Sequence, residues 1–184
     1  MIKSVSIDTG VVNILLEWEE YVSADRQSAN LSKNIIVKNS HEEESSILLK
    51  SLTFHKQPVS CKTEIIPNEI AQEISNILKY FNGINVVFNN NLIPWKTFSS
   101  FQSKVYSELL RLDYGSTISY KTLAEKCGFP NAFRAVGSAM AKNPLPLIIP
   151  CHRVIKSNGD YGNYSPSAEI KRFLIDFERG STVF

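Results

Sequence analysis

Pro150-Cys151-His152-Arg153-Val154 sets a thiol beside an imidazole, directly after the apolar run Leu147-Ile148-Ile149. The thiolate form of cysteine is a strong nucleophile, and imidazole is the side chain best suited to take up its proton near neutral pH. Adjacency alone is weak testimony, since neighbouring side chains need not face each other and free cysteine usually just packs. The flanking residues add weight. Pro144, Pro146 and Pro150 have no amide hydrogen, so the stretch resists helix and central-strand pairing. Leu147-Ile148-Ile149 is expected as a short buried strand. Cys151 then stands where the chain leaves the interior in a stiff geometry.

A second chemical group lies near the end of the chain. Ile170, Phe173, Leu174 and Phe177 repeat at helical spacing and point inward. Ser165-Pro166 supplies a cap and first-turn proline to start that helix, and Gly180 supplies a stop. Glu178, four residues after Leu174 and eight after Ile170, extends the apolar line, so its carboxylate needs a partner. His152 is one choice and an arginine is another.

The elements that position these groups can be read upstream. Ser99 or Ser100 caps a helix whose Phe101, Val105, Leu109 and Leu112 form one stripe, and Asp113-Tyr114-Gly115-Ser116 turns the chain. Ser119 caps a second helix, Tyr120 to Cys127, with Leu123 and Ala124 inward. Gly128-Phe129-Pro130 breaks it, and a third begins near Asn131. Two short helices joined by a tight glycine-containing turn form the helix-turn-helix pattern. On the third helix Ala132, Ala135, Val136, Ala139 and Met140 make a core face. The opposite face carries Arg134, Gly137, Ser138 and Ala141. Glycine inside a helix costs about 1 kcal/mol against alanine, so Gly137 implies close approach of another surface. A ligand and a helix-packing seam both fit. Lys156-Ser157-Asn158-Gly159-Asp160 reads as a hairpin turn, which after a helix-turn-helix suggests a wing.

The first half reads as mixed α/β. Val5 to Ile7, Val11 to Trp18, Asn34 to Lys38 and Ile84 to Phe88 have strand composition, Lys33 to Ser46 is a polar loop or edge, and Pro67 to Asn82 is a helix with Ile70, Ile74, Ile77, Leu78 and Phe81 inward. Asn89-Asn90-Asn91 before Pro94 marks a boundary, giving units 1–92 and 93–184.

Bulk properties narrow the class. The 184 residues are 43% hydrophobic and 21% charged, ordinary for a globular chain. No run suits a membrane span or secretory signal, and three scattered cysteines, Cys61, Cys127 and Cys151, fit a reducing intracellular setting. His41, His55 and Cys61 lack zinc-module spacing, so no metal is expected. From Thr97 onward 11 Lys and Arg stand against 7 Asp and Glu, a net +4; the remainder carries 9 against 11, a net −2. A basic second half suits a polyanion.

Pro150-Cys151-His152-Arg153-Val154, with Asn143-Pro144 before it and Gly162-Asn163-Tyr164-Ser165 after it, resembles the methylated-DNA–protein-cysteine methyltransferases, or 6-O-alkylguanine-DNA alkyltransferases. Arg134-Ala135-Val136-Gly137 and Ile118-Ser119-Tyr120 match in the same order. The resemblance spans roughly Phe98 to Gly180. It implies a ribonuclease-H-like α/β unit followed by a mostly helical winged-helix unit. It implies that Cys151 accepts an alkyl group from guanine oxygen in a single turnover, with His152 as base through a bridging water, Glu178 orienting His152, and Asn143 tying the helices to the site. Tyr120, Ser165, Val154 and Tyr164 are implied at the flipped guanine. Arg134 is implied in the vacated stack, with Lys121, Ser157, Gln102, Gly137 and Ser138 along the DNA. The implied partner is double-stranded DNA carrying alkylated guanine, bound by a monomer without cofactor, in a nucleus or a bacterial cytoplasm. Pro166-Ser167 departs from the usual two glycines, which leaves the range of alkyl groups open. The alternatives are a lesion binder without transfer, a cysteine hydrolase and a winged-helix regulator.

Overall fold

Alternation decides the first sheet. Ile14, Leu16 and Trp18 are buried and alternate with half-buried Leu15, Glu17 and Glu19, as a strand with one covered face requires. The computed structural model describes residues 2–10, 12–22, 45–57, 59, 66–162 and 167–180. Strands β1 (Ile2–Asp8), β2 (Asn13–Val22) and β3 (Ser45–His55) form an antiparallel sheet in that order. Asn34 to Lys38, His41 and Cys61 fall outside the described residues, whereas Ser45 and Ser46, from the segment read as a polar loop or edge, begin β3. The register slips between Glu17 and Trp18, which pair with Ser51 and Leu49 and leave Lys50 as the extra residue. That bulge lets Leu49 and Leu52, three apart, both face the core.

Helix α1 (Asn68–Phe81) follows Pro67 as expected, and its buried face takes in three of the five predicted residues. Ile70, Glu73, Ile77, Tyr80 and Phe81 are buried, Ile74 is half-buried and Leu78 is exposed. Ile84 to Phe88 is not a strand. It has no sheet partner among the described residues, and Val87 is 88% exposed. β-branched composition without a neighbouring edge makes only extended chain.

The second half is helical. Helix α2 (Ser100–Leu109) carries a capping box between Ser99 and Gln102, and Ser116 N–H closes the following turn on Asp113. The two-residue strand β4 (Ile118–Ser119) leads into helix α3 (Tyr120–Lys126), capped by Ser119 as predicted. Gly128 and Asn131, both at positive φ, reverse the chain into helix α4 (Phe133–Ala141). Val136, Ala139 and Met140 are buried on α4 as expected, Ala132 is half-buried, and Ala135 is exposed, not core.

Leu147-Ile148-Ile149 is buried, but it is a turn and not a strand. Leu147 sits at φ 77°, Pro146 and Ile149 make an isolated bridge, and Ile149 N–H donates to Leu145 at 2.8 Å. The prolines that forbid a ladder leave tight folding as the way to bury these side chains. The turn is anchored to the first sheet, since Leu52 N–H donates to Pro144 O at 2.8 Å. A 3-10 turn (Cys151–Arg153) follows, then strand β5 (Val154–Ile155), which pairs parallel with β4. Lys156 to Asp160 closes the predicted reverse turn, but no return strand follows in residues 160–162. Helix α5 (Ala168–Glu178) is capped by Ser167, not Ser165, and ends before Gly180 at φ 69°. One apolar core runs through both halves, from Ile7 to Phe177. No described helix is long and apolar enough to cross a membrane.

Candidate active site

The 3-10 turn that carries Cys151, His152 and Arg153 is clamped between the Leu147–Ile149 turn and α5. Cys151 is buried at 1% exposure. The Asn143 amide donates at 2.9 Å to both the Cys151 Sγ and the Ile149 carbonyl, while its Oδ1 accepts from Leu145 N–H at 3.0 Å. One side chain thus fixes the approach to the thiol and aims a donor at sulfur, an arrangement suited to a sulfur bearing negative charge.

The two residues after Cys151, His152 and Arg153, both reach Glu178. Glu178 Oε1 meets His152 Nε2 at 2.8 Å, and both partners are buried. The choice the sequence left open resolves in favour of both candidates. Arg153 also grips Glu178 in a two-pronged pair, Nε to Oε2 and Nη2 to Oε1, each at 2.9 Å, with Nη1 donating to the Leu112 carbonyl at 2.7 Å. The Gly115 N–H donates to Oε2 at 3.0 Å. Gly115 has φ 75°, and a Cβ there would meet the Glu178 carbonyl at 3.0 Å, so this close approach calls for glycine. The Tyr80 hydroxyl, from α1, donates to Oε1 at 2.8 Å.

The electrostatics follow. Burial alone would raise the Glu178 pKa, but the hydrogen bonds and charges of His152 and Arg153 outweigh it and hold the carboxyl at about 2. Burial lowers the His152 pKa, opposed in part by Glu178, so the ring is neutral near pH 7. A neutral ring beside an ionised carboxylate keeps its proton on Nε2 and its lone pair on Nδ1. His152 Nδ1 is buried and has no hydrogen-bond partner. It is an unengaged base inside the protein.

Lys171 on α5 was not anticipated. Its side chain is fully buried, and its ammonium donates to the Val154 carbonyl and, at 3.5 Å, to the Tyr120 hydroxyl. Burial brings its pKa down to about 8, and the charge of Cys151 works against that fall. Burial likewise raises the Tyr120 hydroxyl, which stays a neutral donor. Lys171 lies seven residues before Glu178 and three before Leu174, spacings that put it on the same buried face of a helix, and that was the signal available. Tyr80 gave none, because it lies outside the apolar stripe read for its helix.

Tyr120, Lys121, Arg134, Gly137 and Ser157 come together, with Phe133, Met140, Ala141, Lys156 and Gly162, around a groove of about 870 Å³. Its described lining holds three cations and no acid. Ser138 is exposed on α4 beside this face, its hydroxyl bonded to the Arg134 carbonyl. Gln102 is elsewhere engaged, in the cap of α2. Val154 is buried in β5. Tyr164, Ser165 and Pro166 lie outside the described residues. Among the described residues, no three His, Cys, Asp or Glu side chains are grouped as metal ligands would be.

A buried thiol and a neighbouring imidazole paired with a locked carboxylate, in a chain that also carries a cationic groove on a helix pair, are the features by which this protein can be compared with others. Residues 100–180 match the family described as "6-O-methylguanine DNA methyltransferase, DNA binding domain". The chain is 37% identical over 140 residues to the methylated-DNA–protein-cysteine methyltransferase of Methanosarcina mazei, covering 72% of this chain and 85% of the relative. It is 39% identical over 113 residues to a probable methylated-DNA–protein-cysteine methyltransferase of Acanthamoeba polyphaga mimivirus, over 61% of this chain and 74% of that one. A crystal structure of the Mycobacterium tuberculosis protein OGT in complex with DNA superposes with a TM-score of 0.66 at 25% identity, covering 98% and 94% of the two chains. The chain belongs to the methylated-DNA–protein-cysteine methyltransferase family. It is an enzyme of direct DNA repair by alkyl transfer.

Proposed function

We propose that Cys151 is the alkyl acceptor, and that it takes a methyl or larger alkyl group from the guanine 6-oxygen of a nucleotide turned out of duplex DNA. His152 takes the thiol proton through a bridging water, and the Cys151 sulfur bonds to the alkyl carbon as the carbon–oxygen bond breaks. The departing guanine takes its proton from the Tyr120 hydroxyl, which Lys171 resupplies. The observation that carries the role of His152 is the buried Nδ1 with no partner, on a ring whose other nitrogen faces an ionised carboxylate. A His–carboxylate pair is a common means of activating a cysteine. The thioether formed is stable and no group in the protein can cleave it, so each molecule acts once.

Tyr120 donates to the guanine, with Val154, Tyr164 and Ser165 forming the rest of the base pocket. Lys171 is the support for the Tyr120 hydroxyl. An alkyl carbon in a stacked duplex cannot be reached in line, and unstacking costs a few kcal/mol. Arg134, exposed on α4, enters the vacated stack. Gly137 and Ser138 let the helix approach a minor groove only ~6 Å wide, while Lys121 and Ser157, in the groove, and Gln102, outside it at the start of α2, meet phosphates. The cationic groove supports this, since phosphate contacts hold duplex without reading sequence. We read the sheet β1–β3 with α1 as a ribonuclease-H-like unit over residues 1–92, and α3, α4 and the β4–β5 pair as the centre of a winged-helix unit over 93–184. The protein acts as a monomer inside the cell, in a nucleus or a bacterial cytoplasm.

Replacing Glu178 by Gln tests the relay. Transfer from a methylated duplex slows by on the order of a hundredfold, the usual scale of general-base contributions, while lesion binding is retained. Equal loss of both assigns Glu178 to folding alone.

A further inference from the structure

Glu178 is reached from both halves of the chain. Three donors converge on its Oε1: His152 Nε2 at 2.8 Å, Arg153 Nη2 at 2.9 Å and the Tyr80 hydroxyl at 2.8 Å. Tyr80 lies 98 residues away in sequence, in the last turn of α1, and is 2% exposed. Its ring is caged by Phe81, Tyr114 and Phe177, with centroids 5.2, 5.8 and 5.7 Å away. Burial, and then the charge of Glu178, push its hydroxyl well above the ordinary phenol range, so it remains a neutral donor at any working pH.

Resting on the roles given above to His152 and Glu178, we propose that Tyr80 is a positioning residue of the transfer reaction, through which the N-terminal unit sets the charge on the carboxylate oxygen behind His152. A phenol that donates to the oxygen facing the imidazole takes up part of its negative charge. The carboxylate then pulls less strongly on the Nε2 proton and favours the imidazolium less. The charged groups acting on His152 are Glu178 and Lys171 from α5 and Arg153 from its own turn, while Tyr80 from α1 and Tyr114 act on Glu178. Of the three donors to Oε1, Tyr80 alone comes from α1. It gives that unit a hold on the chemistry beyond packing.

The test is the pH profile of single-turnover methyl transfer from an O6-methylguanine duplex, taken from about pH 5.5 to about pH 9 across the His152 range. Tyr80→Phe removes the donor and leaves more charge on Oε1, so His152 is protonated more readily. The acid limb moves to higher pH by about half a unit or more. Substituting 3-fluorotyrosine for Tyr80, a stronger donor of nearly the same shape, moves the limb the other way and guards against a folding defect. In a Glu178→Gln background, Tyr80→Phe produces no further shift. A limb that stays in place in both Tyr80 variants, or that shifts equally with Glu178 absent, overturns the proposal. A Glu178→Gln enzyme with the wild-type rate and profile overturns the relay itself instead.

Discussion

Carboxylate geometry governs the site at the scale of single residues. Glu178 is an anion in the interior because five donors from Tyr80, Gly115, His152 and Arg153 converge on two oxygens. Its folded pKa of about 2 lies below the ordinary 4.5, so its stabilisation is complete above about pH 4.5 and is lost as pH falls through about 2. His152 works in the same sense, because its lowered folded pKa means the unfolded chain binds more protons below the ordinary 6.5. Glu73, raised by burial, opposes both. Denaturant titration of wild type against Glu178→Gln isolates the first effect. The difference is on the order of 3 kcal/mol near neutrality, as for a broken buried pair, and shrinks below about pH 4.5. A difference that does not change with pH contradicts the ionised assignment. At this scale the sequence made some members of the buried cluster legible and not others. Cys151, His152 and Glu178 were visible as types and spacing, whereas Arg153, Lys171 and Tyr80 act through distances that only folding creates.

Single elements carry the DNA-facing predictions. Gly137 has open space where a Cβ would stand, with no atom within 4 Å. Gly137→Ala therefore raises stability by about 0.5–1 kcal/mol through helix propensity. Gly137→Leu leaves the fold intact but weakens duplex binding, because α4 can no longer approach closely. Thermal melts and duplex titrations separate the two, and undiminished binding by Gly137→Leu assigns that face to something other than DNA. Arg134→Ala slows transfer from duplex by on the order of tenfold, about 1.4 kcal/mol, yet spares transfer from free O6-benzylguanine. An equal effect on both substrates argues against a role in the stack. Elements were legible where a local signal set them. Ser99 and Ser119 caps, the Gly128 break and the Gly180 stop all appear where expected. Ile84 to Phe88 and Leu147 to Ile149 did not become strands, because strand composition states a preference for a neighbour and cannot supply one.

Across the whole molecule, the two halves are joined at the site itself. Leu52 N–H on β3 holds the Pro144 carbonyl beside the thiol segment, and Tyr80 on α1 holds Glu178. The sequence placed a boundary near Asn89 but gave no hint of these ties, since Tyr80 lay outside the stripe read for α1. Such coupling suits the acceptor role proposed for Cys151. The most direct measurement of the central claim is intact mass followed by peptide mapping after incubation with excess duplex carrying O6-methylguanine. A single methyl group per protein, on Cys151 and absent from a Cys151→Ala variant, is the predicted result. Methyl groups on another residue, or continued loss of lesions beyond the number of protein molecules, would contradict it.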